Sequence, residues 1–189
     1  VYPMISRWKN KLLQAGNIIA VISTILVNAL AVILPLNGKT TQELSDALPN
    51  LFVPAGITFS IWSIIYILWV VFAMYQARDL FKKEEIKMPF LQQITFLFVV
   101  SSIANSAWIF LWHYEYVGLS LLMMIILLFS LLAIYFRLNI GKSNVTVTEK
   151  LCVQAPFSVY LGWITVATIA NVTAFLVSVK WDGFGIAPL

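Results

Sequence analysis

Long apolar stretches separated by short polar ones make up most of this chain. A helix needs about 20 mostly apolar residues to cross a bilayer. Five stretches qualify, at about 17–36, 54–77, 90–112, 116–138 and 156–179, and none of their cores contains Asp, Glu, Lys or Arg. The pattern predicts an all-α integral membrane protein, a single domain over residues 1–189 built as a five-transmembrane-helix bundle.

The charges lie in the linkers and orient the spans. Arg7, Lys9 and Lys11 precede the first span, Arg78, Lys82, Lys83 and Lys87 follow the second, and Arg137, Lys142 and Lys150 follow the fourth. The alternate segments hold only Lys39 and, in the tail, Lys180. Ten basic residues against two place the N-terminus inside and the C-terminus outside.

Composition narrows the class further. The chain is 61% hydrophobic and 11% charged, where soluble domains hold about 45–50% and about 25%. A net charge of +4 could attract nucleic acid, but the basic residues are too scattered to form a basic face, and nucleic acid is excluded as a partner. The one cysteine, Cys152, excludes an intrachain disulfide and a cysteine-based metal site. The first span is longer than the apolar core of a signal peptide. The missing initiator Met and the end at GFGIAPL suggest a piece of a longer chain.

Catalysis and ion-coupled transport both lean on titratable groups placed in a site, and the spans offer none. The chain is therefore not expected to be an enzyme, to hold a metal or to require a cofactor. His113, beside Tyr114 and Glu115 at the outer end of the third span, reads as part of an interfacial belt, as do Trp112 and Trp181. Trp62, Trp108 and Trp163 sit several residues inside spans, where they either pack against neighbouring helices or line a ligand site. Ser102, Asn105 and Ser106 share one helical face, and Thr165, Thr168 and Asn171 share another. Such residues glue helices together or meet the polar rim of a flat ligand. The outer linker at 37–53, which runs into Pro54-Ala55-Gly56, is long for a helix connection and reads as a hinged cover or as an ordinary exposed loop.

Three blocks carry a resemblance. VPAGITFSIWSIIY (53–66), NSAWIFLW (105–112) and APFSVYLGWITVATIAN (155–171) resemble, in order, the second-, third- and fifth-helix motifs of the translocator-protein family, also called TspO/MBR or tryptophan-rich sensory proteins. The resemblance implies a pocket under the first loop that binds tetrapyrroles, sterols or synthetic aromatic ligands. Carried over by matching position, its residues are Phe59, Trp62, Tyr66, Asn105, Trp108, Trp163, Ala167 and Asn171. The chain departs from the family pattern at Ala55 and Phe157. FLVSVK (175–180) lacks the Tyr of the family's cholesterol motif, which favours a tetrapyrrole or another lipid over a sterol.

The function expected is a membrane-embedded binding or sensory protein for a hydrophobic aromatic ligand, a tetrapyrrole or lipid, held in an aromatic pocket covered by the first loop. The alternative is a structural or accessory subunit of a membrane complex with no small-molecule site. Expected partners are membrane lipids, a hydrophobic small molecule, and a second copy or another membrane protein, in a cytoplasmic or organelle membrane.

Overall fold

The computed structural model describes residues 2–34, 36–48, 52, 55–82 and 84–185, with side chains from Arg7 onward. Pro49, Asn50 and Leu51, and Val53 and Pro54, which open the second-span motif, lie outside the described residues, as does the end of the tail. The elements are α1 (Tyr2–Ile33), α2 (Thr41–Asp46), α3 (Ile61–Gln76), α4 (Pro89–Ile94), α5 (Leu97–His113), α6 (Val117–Arg137) and α7 (Val147–Ser178). A tight 3₁₀ turn, Gly56–Ser60, leads into α3. Among the described residues the fold is all-helical.

Four helical stretches are long and apolar enough to cross a membrane: Arg7–Ile33, Gly56–Gln76, Val117–Arg137 and Val147–Ser178. The expected span at 90–112 falls instead on two helices. Thr95 has φ 53, ψ −139 and separates α4 from α5, which has 17 residues. No Pro or Gly marks this break in the sequence. The first helix also begins well before the expected residue 17. Its polar start is held by side chains: Arg7 donates to the Lys82 carbonyl, Asn10 donates to Glu85, and Gln92 donates to Asn10.

α7 passes through Pro156, which has no N–H to give the preceding turn. A π turn at Lys150–Gln154 comes immediately before it, and the wider turn accommodates the missing bond. α5, α6 and α7 each end in a left-handed residue, Glu115 (φ 63), Asn139 (φ 48) and Lys180 (φ 53). In each the backbone closes the paired bonds of a Schellman motif, for example Tyr116 N–H to Leu111 C=O and Glu115 N–H to Trp112 C=O. This sharp stop lets α6 begin four residues after α5 ends.

The long helices close into a ring, in which α1 packs on α3, α3 on α7, α7 on α6, α6 on α5 and α5 on α1. Its outer faces are apolar, with Ile19, Ile22, Ile67, Met74, Ile103, Phe129 and Phe136 exposed. Much of the polar character is turned inward. Gln14, Asn17, Thr24 and Asn28 line one face of α1 and are all buried. Gln14 donates to Asp79 and to the Gln76 carbonyl, and Gln76 donates back to the Gln14 carbonyl. Thr24 shares a 2.6 Å bond with Ser102, and Asn28 donates to Asn105 Oδ1 at 2.7 Å. These bonds tie α1 to α3 and α5 along much of its length. Asn28→Ala, which leaves Asn105 Oδ1 without its donor, is expected to cost about 0.5–2 kcal/mol. Thermal unfolding in detergent measures this, and an unchanged midpoint would contradict the role given to the bond.

Candidate functional site

The upper part of the helix ring is lined by aromatic side chains rather than filled by them. Lower down, Trp69 packs edge-on against Phe72, Phe157 and Tyr160, and lies tilted 4.5 Å from Phe98. All five side chains are at most 2% exposed, which makes this a closed aromatic core. Towards the end covered by α2, Trp62 stacks on Tyr66 and meets Trp163 edge-on, while Phe59 meets the same indole edge-on from the turn before α3. Trp108 stacks on Trp112 at 5.9 Å with the ring planes 18° apart. All of these rings except Tyr66 surround a chamber of about 40 Å³, whose lining includes Phe59, Trp62, Asn105, Trp108, Trp163, Ala167 and Asn171.

Seven of the eight residues expected from the resemblance thus meet at one chamber. Tyr66 is the exception. It lines an adjoining cleft of about 530 Å³ between α1 and α3, whose walls include Asn28, Ala29, Gln42, Ser63 and Ile109. Thr41, Phe59, Trp62 and Trp108 border both spaces and form the partition between them. On the same measure one water needs about 10–15 Å³, so the chamber as it stands holds a few waters. The cleft falls within the 300–1,000 Å³ usual for ligand pockets.

Polar satisfaction is uneven across the site. Asn105 is engaged at both ends, accepting from Asn28 and donating to Tyr160 Oη at 3.1 Å. Asn171 makes only long contacts of 3.4–3.5 Å with Ser120. Among the described residues the indole N–H groups of Trp108 and Trp163 have no partner, and the side chains are only 7% and 8% exposed. A buried donor left unpaired costs about 1–3 kcal/mol. Among the described residues two further buried polar atoms lack partners, Asn17 Oδ1 and Arg78 Nε, and neither lines the chamber.

Of the polar stripes read from the sequence, Ser102, Asn105 and Asn171 bond across helices, while the two threonines of α7 do not. Ser102 bonds Thr24 and the Ala20 carbonyl. Thr165 and Thr168 bond carbonyls of their own helix. The sequence reading missed their counterpart on α1, where Thr24 and Asn28 repeat at helical spacing inside a span.

The linker between α1 and α3 folds over the chamber. Thr40, Thr41, Gln42 and Glu43 supply the capping-box pattern T-x-x-E, and Thr40 and Glu43 make the reciprocal bonds that start α2. The belt assignments of Trp112 and His113 need correction. Both are buried, because α2 covers them. Trp112 Nε1 donates to the Thr41 carbonyl at 3.3 Å. The Nδ1 of His113 lies 2.7 Å from the Ile109 carbonyl, which can only accept, so Nδ1 carries the proton; Nε2 faces the Thr41 hydroxyl at 3.4 Å. Outside these contacts Lys39 pairs with Glu115. Trp181 is exposed, as a belt residue would be, and packs on Phe184.

Glu43 is held below the ordinary carboxylate value of 4.5 by the Thr40 backbone N–H and then by the Thr40 hydroxyl. The cap therefore contributes fully above pH 4.5 and is lost as pH falls through the lowered folded value. Amide NMR signals of residues 40–46 in micelles should be constant at neutral pH and lose helical character only below the ordinary value. Loss of the helix above about pH 6, well clear of any carboxylate titration, would contradict this account of α2.

The family described as TSPO-like protein matches the chain over residues 13–189. No curated protein and no solved structure matches it. The match covers all of the membrane-capable helices except the first turns of α1, including every residue of the chamber and of α2. The chain belongs to the TSPO-like protein family and is a multi-pass integral membrane protein.

Proposed function

We propose that this chain is a membrane-embedded binding or sensory protein that takes a hydrophobic aromatic ligand, a tetrapyrrole or another lipid, from the cleft between α1 and α3 into the chamber beneath α2. One observation carries the reading: seven positions spread over α3, α5 and α7 and the turn before α3 converge on a chamber walled by Trp and Phe. Flat rings gain both apolar burial and ring–ring contact against such walls. The cleft provides the volume and the chamber the recognition. Trp62 and Trp108 lie between them and have to turn aside for a ligand to enter.

The polar groups of the chamber are hydroxyls, amides and indoles. Such a set orients a ligand and supplies neither a general acid nor a base, so the activity is binding rather than turnover. Sensing follows if the ligand prefers one position of α2, because only differential affinity shifts a population. The membrane-facing surfaces meet lipid. The inward direction of the Ser102 and Asn105 face supports ligand binding over an accessory-subunit role, for which those groups would face a second chain.

At about 1.5 Å per residue, α5 alone falls short of a hydrocarbon layer of about 30 Å. α4 and α5 together form a fifth crossing, interrupted at Thr95. The basic linkers then set the N-terminus inside and α2 on the outer face.

Protoporphyrin IX titrated into the purified chain in detergent should quench tryptophan fluorescence saturably at micromolar or lower concentration. Ala167→Phe, which fills the chamber and leaves its indoles in place, should weaken binding at least about tenfold, or about 1.4 kcal/mol. Trp181→Phe should leave affinity unchanged. Linear quenching that is identical in all three proteins would mean partition into the micelle and would overturn the reading.

A further inference from the structure

Charge is divided unequally between the two ends of the bundle. Ten of the twelve basic residues and four of the eight acidic ones belong to the segments at the start of α1, after α3 and between α6 and α7. That end carries a net +6, against −2 at the end covered by α2. Bonds between elements hold these segments together: Arg7 donates to the Lys82 carbonyl, Gln92 to Asn10, and Arg137 to the Thr95 hydroxyl.

The cations at this end have no carboxylate partners. Asp79 is buried and accepts from Gln14 and from the Ile86 N–H, while Glu85 accepts from Asn10. Among the described residues the one ion pair, Lys39 with Glu115, lies at the opposite end. The arginines rest on neutral groups as well, Arg7 and Arg137 through the bonds above and Arg78 on the Tyr75 ring, 3.8 Å away. Lys9, Lys82, Lys87, Arg137, Lys142 and Lys150 are exposed, so their charge is directed outward.

Exposed apolar side chains sit beside these cations. Trp8 lies between Arg7 and Lys9, Phe81 precedes Lys82, Phe136 precedes Arg137, and Leu151 follows Lys150; Phe81 is 95% exposed and the other three more than half. The pairs flank the ends of the membrane-capable helices. A soluble acidic partner would leave the rings in water. A leaflet takes the apolar groups among its chains and sets its phosphates against the cations.

We propose that this end of the bundle binds anionic phospholipids of the adjoining leaflet, with their phosphates on Lys9, Lys82, Arg137, Lys142 and Lys150. The site is separate from the aromatic chamber and needs no ligand there. The attraction is electrostatic and weakens as salt shortens the Debye length.

Dioleoylphosphatidylglycerol and dioleoylphosphatidylcholine share their acyl chains and differ in headgroup charge. Both are added in equal amounts to the full chain in a neutral detergent, and the retained lipids are counted by native mass spectrometry. Phosphatidylglycerol should be favoured about fivefold or more in about 50 mM ammonium acetate, and about twofold or less in about 500 mM. Lys9→Gln, Lys82→Gln, Lys142→Gln and Lys150→Gln, combined in one chain, should give the lower preference already at low salt. Lys39→Gln with Lys180→Gln, at the opposite end, should leave the preference unchanged. If the fourfold variant lacks the thermal transition of the unmodified chain, the salt dependence decides. Equal retention of the two lipids, a preference undiminished by salt, or one that survives the four substitutions in a folded chain would overturn the proposal. Displacement of the lipid by glycerol 3-phosphate or by an octaglutamate peptide would assign the surface to a soluble anion, and would overturn it too.

Discussion

Polar side chains surrounded by apolar ones need partners, and in this molecule that requirement determines how the helices face one another. Thr24 and Asn28 on α1 meet Ser102 and Asn105 on α5, and Asn105 passes the connection to Tyr160 on α7. A rotation of α1 by one residue would turn Asn28 away and strand Asn105. The chain of bonds therefore fixes three helices at once. It also orients the next turn of two of them, since Trp108 lies three residues beyond Asn105 and Trp163 three beyond Tyr160. The walls of the chamber are placed by bonds made just below it.

The contrast between the two aromatic layers gives the site its meaning. Around Trp69 the rings interlock with almost no exposure. One or two turns higher the same residue types leave a space, a partition and two unsatisfied donors. A core built only for stability would close that space and pair those donors, because voids and orphaned polar groups both cost free energy. α2 covers the space through bonds from Thr41 to Trp112 and His113, in a linker whose length alone suggested a cover.

How far the sequence reveals this structure differs by level. The membrane spans follow from uninterrupted apolar runs, and the family from three spaced motifs, because both depend on residue type and order. The chamber set is legible because the Trp, Asn and Ala positions of those motifs fall on facing helices. The break at Thr95 is not legible, since nothing at Ile94-Thr95-Phe96 differs from a continuing helix. The burial of His113 could not be read either, because it depends on where α2 lands. α2 itself carried a readable signal, the capping pattern from Thr40 to Glu43. The polar face of α1 was visible as helical spacing and acquires meaning only once its partners on α3 and α5 are known.

The indole N–H resonances test the central claim most directly. In a two-dimensional proton–nitrogen spectrum of the chain in micelles, the account predicts that saturating protoporphyrin IX moves the signals of Trp62, Trp108 and Trp163 together, along one saturation curve. Trp8 and Trp181, exposed and remote from the chamber, should stay in place. Equal, non-saturating shifts of every indole would contradict a ligand chamber in this protein.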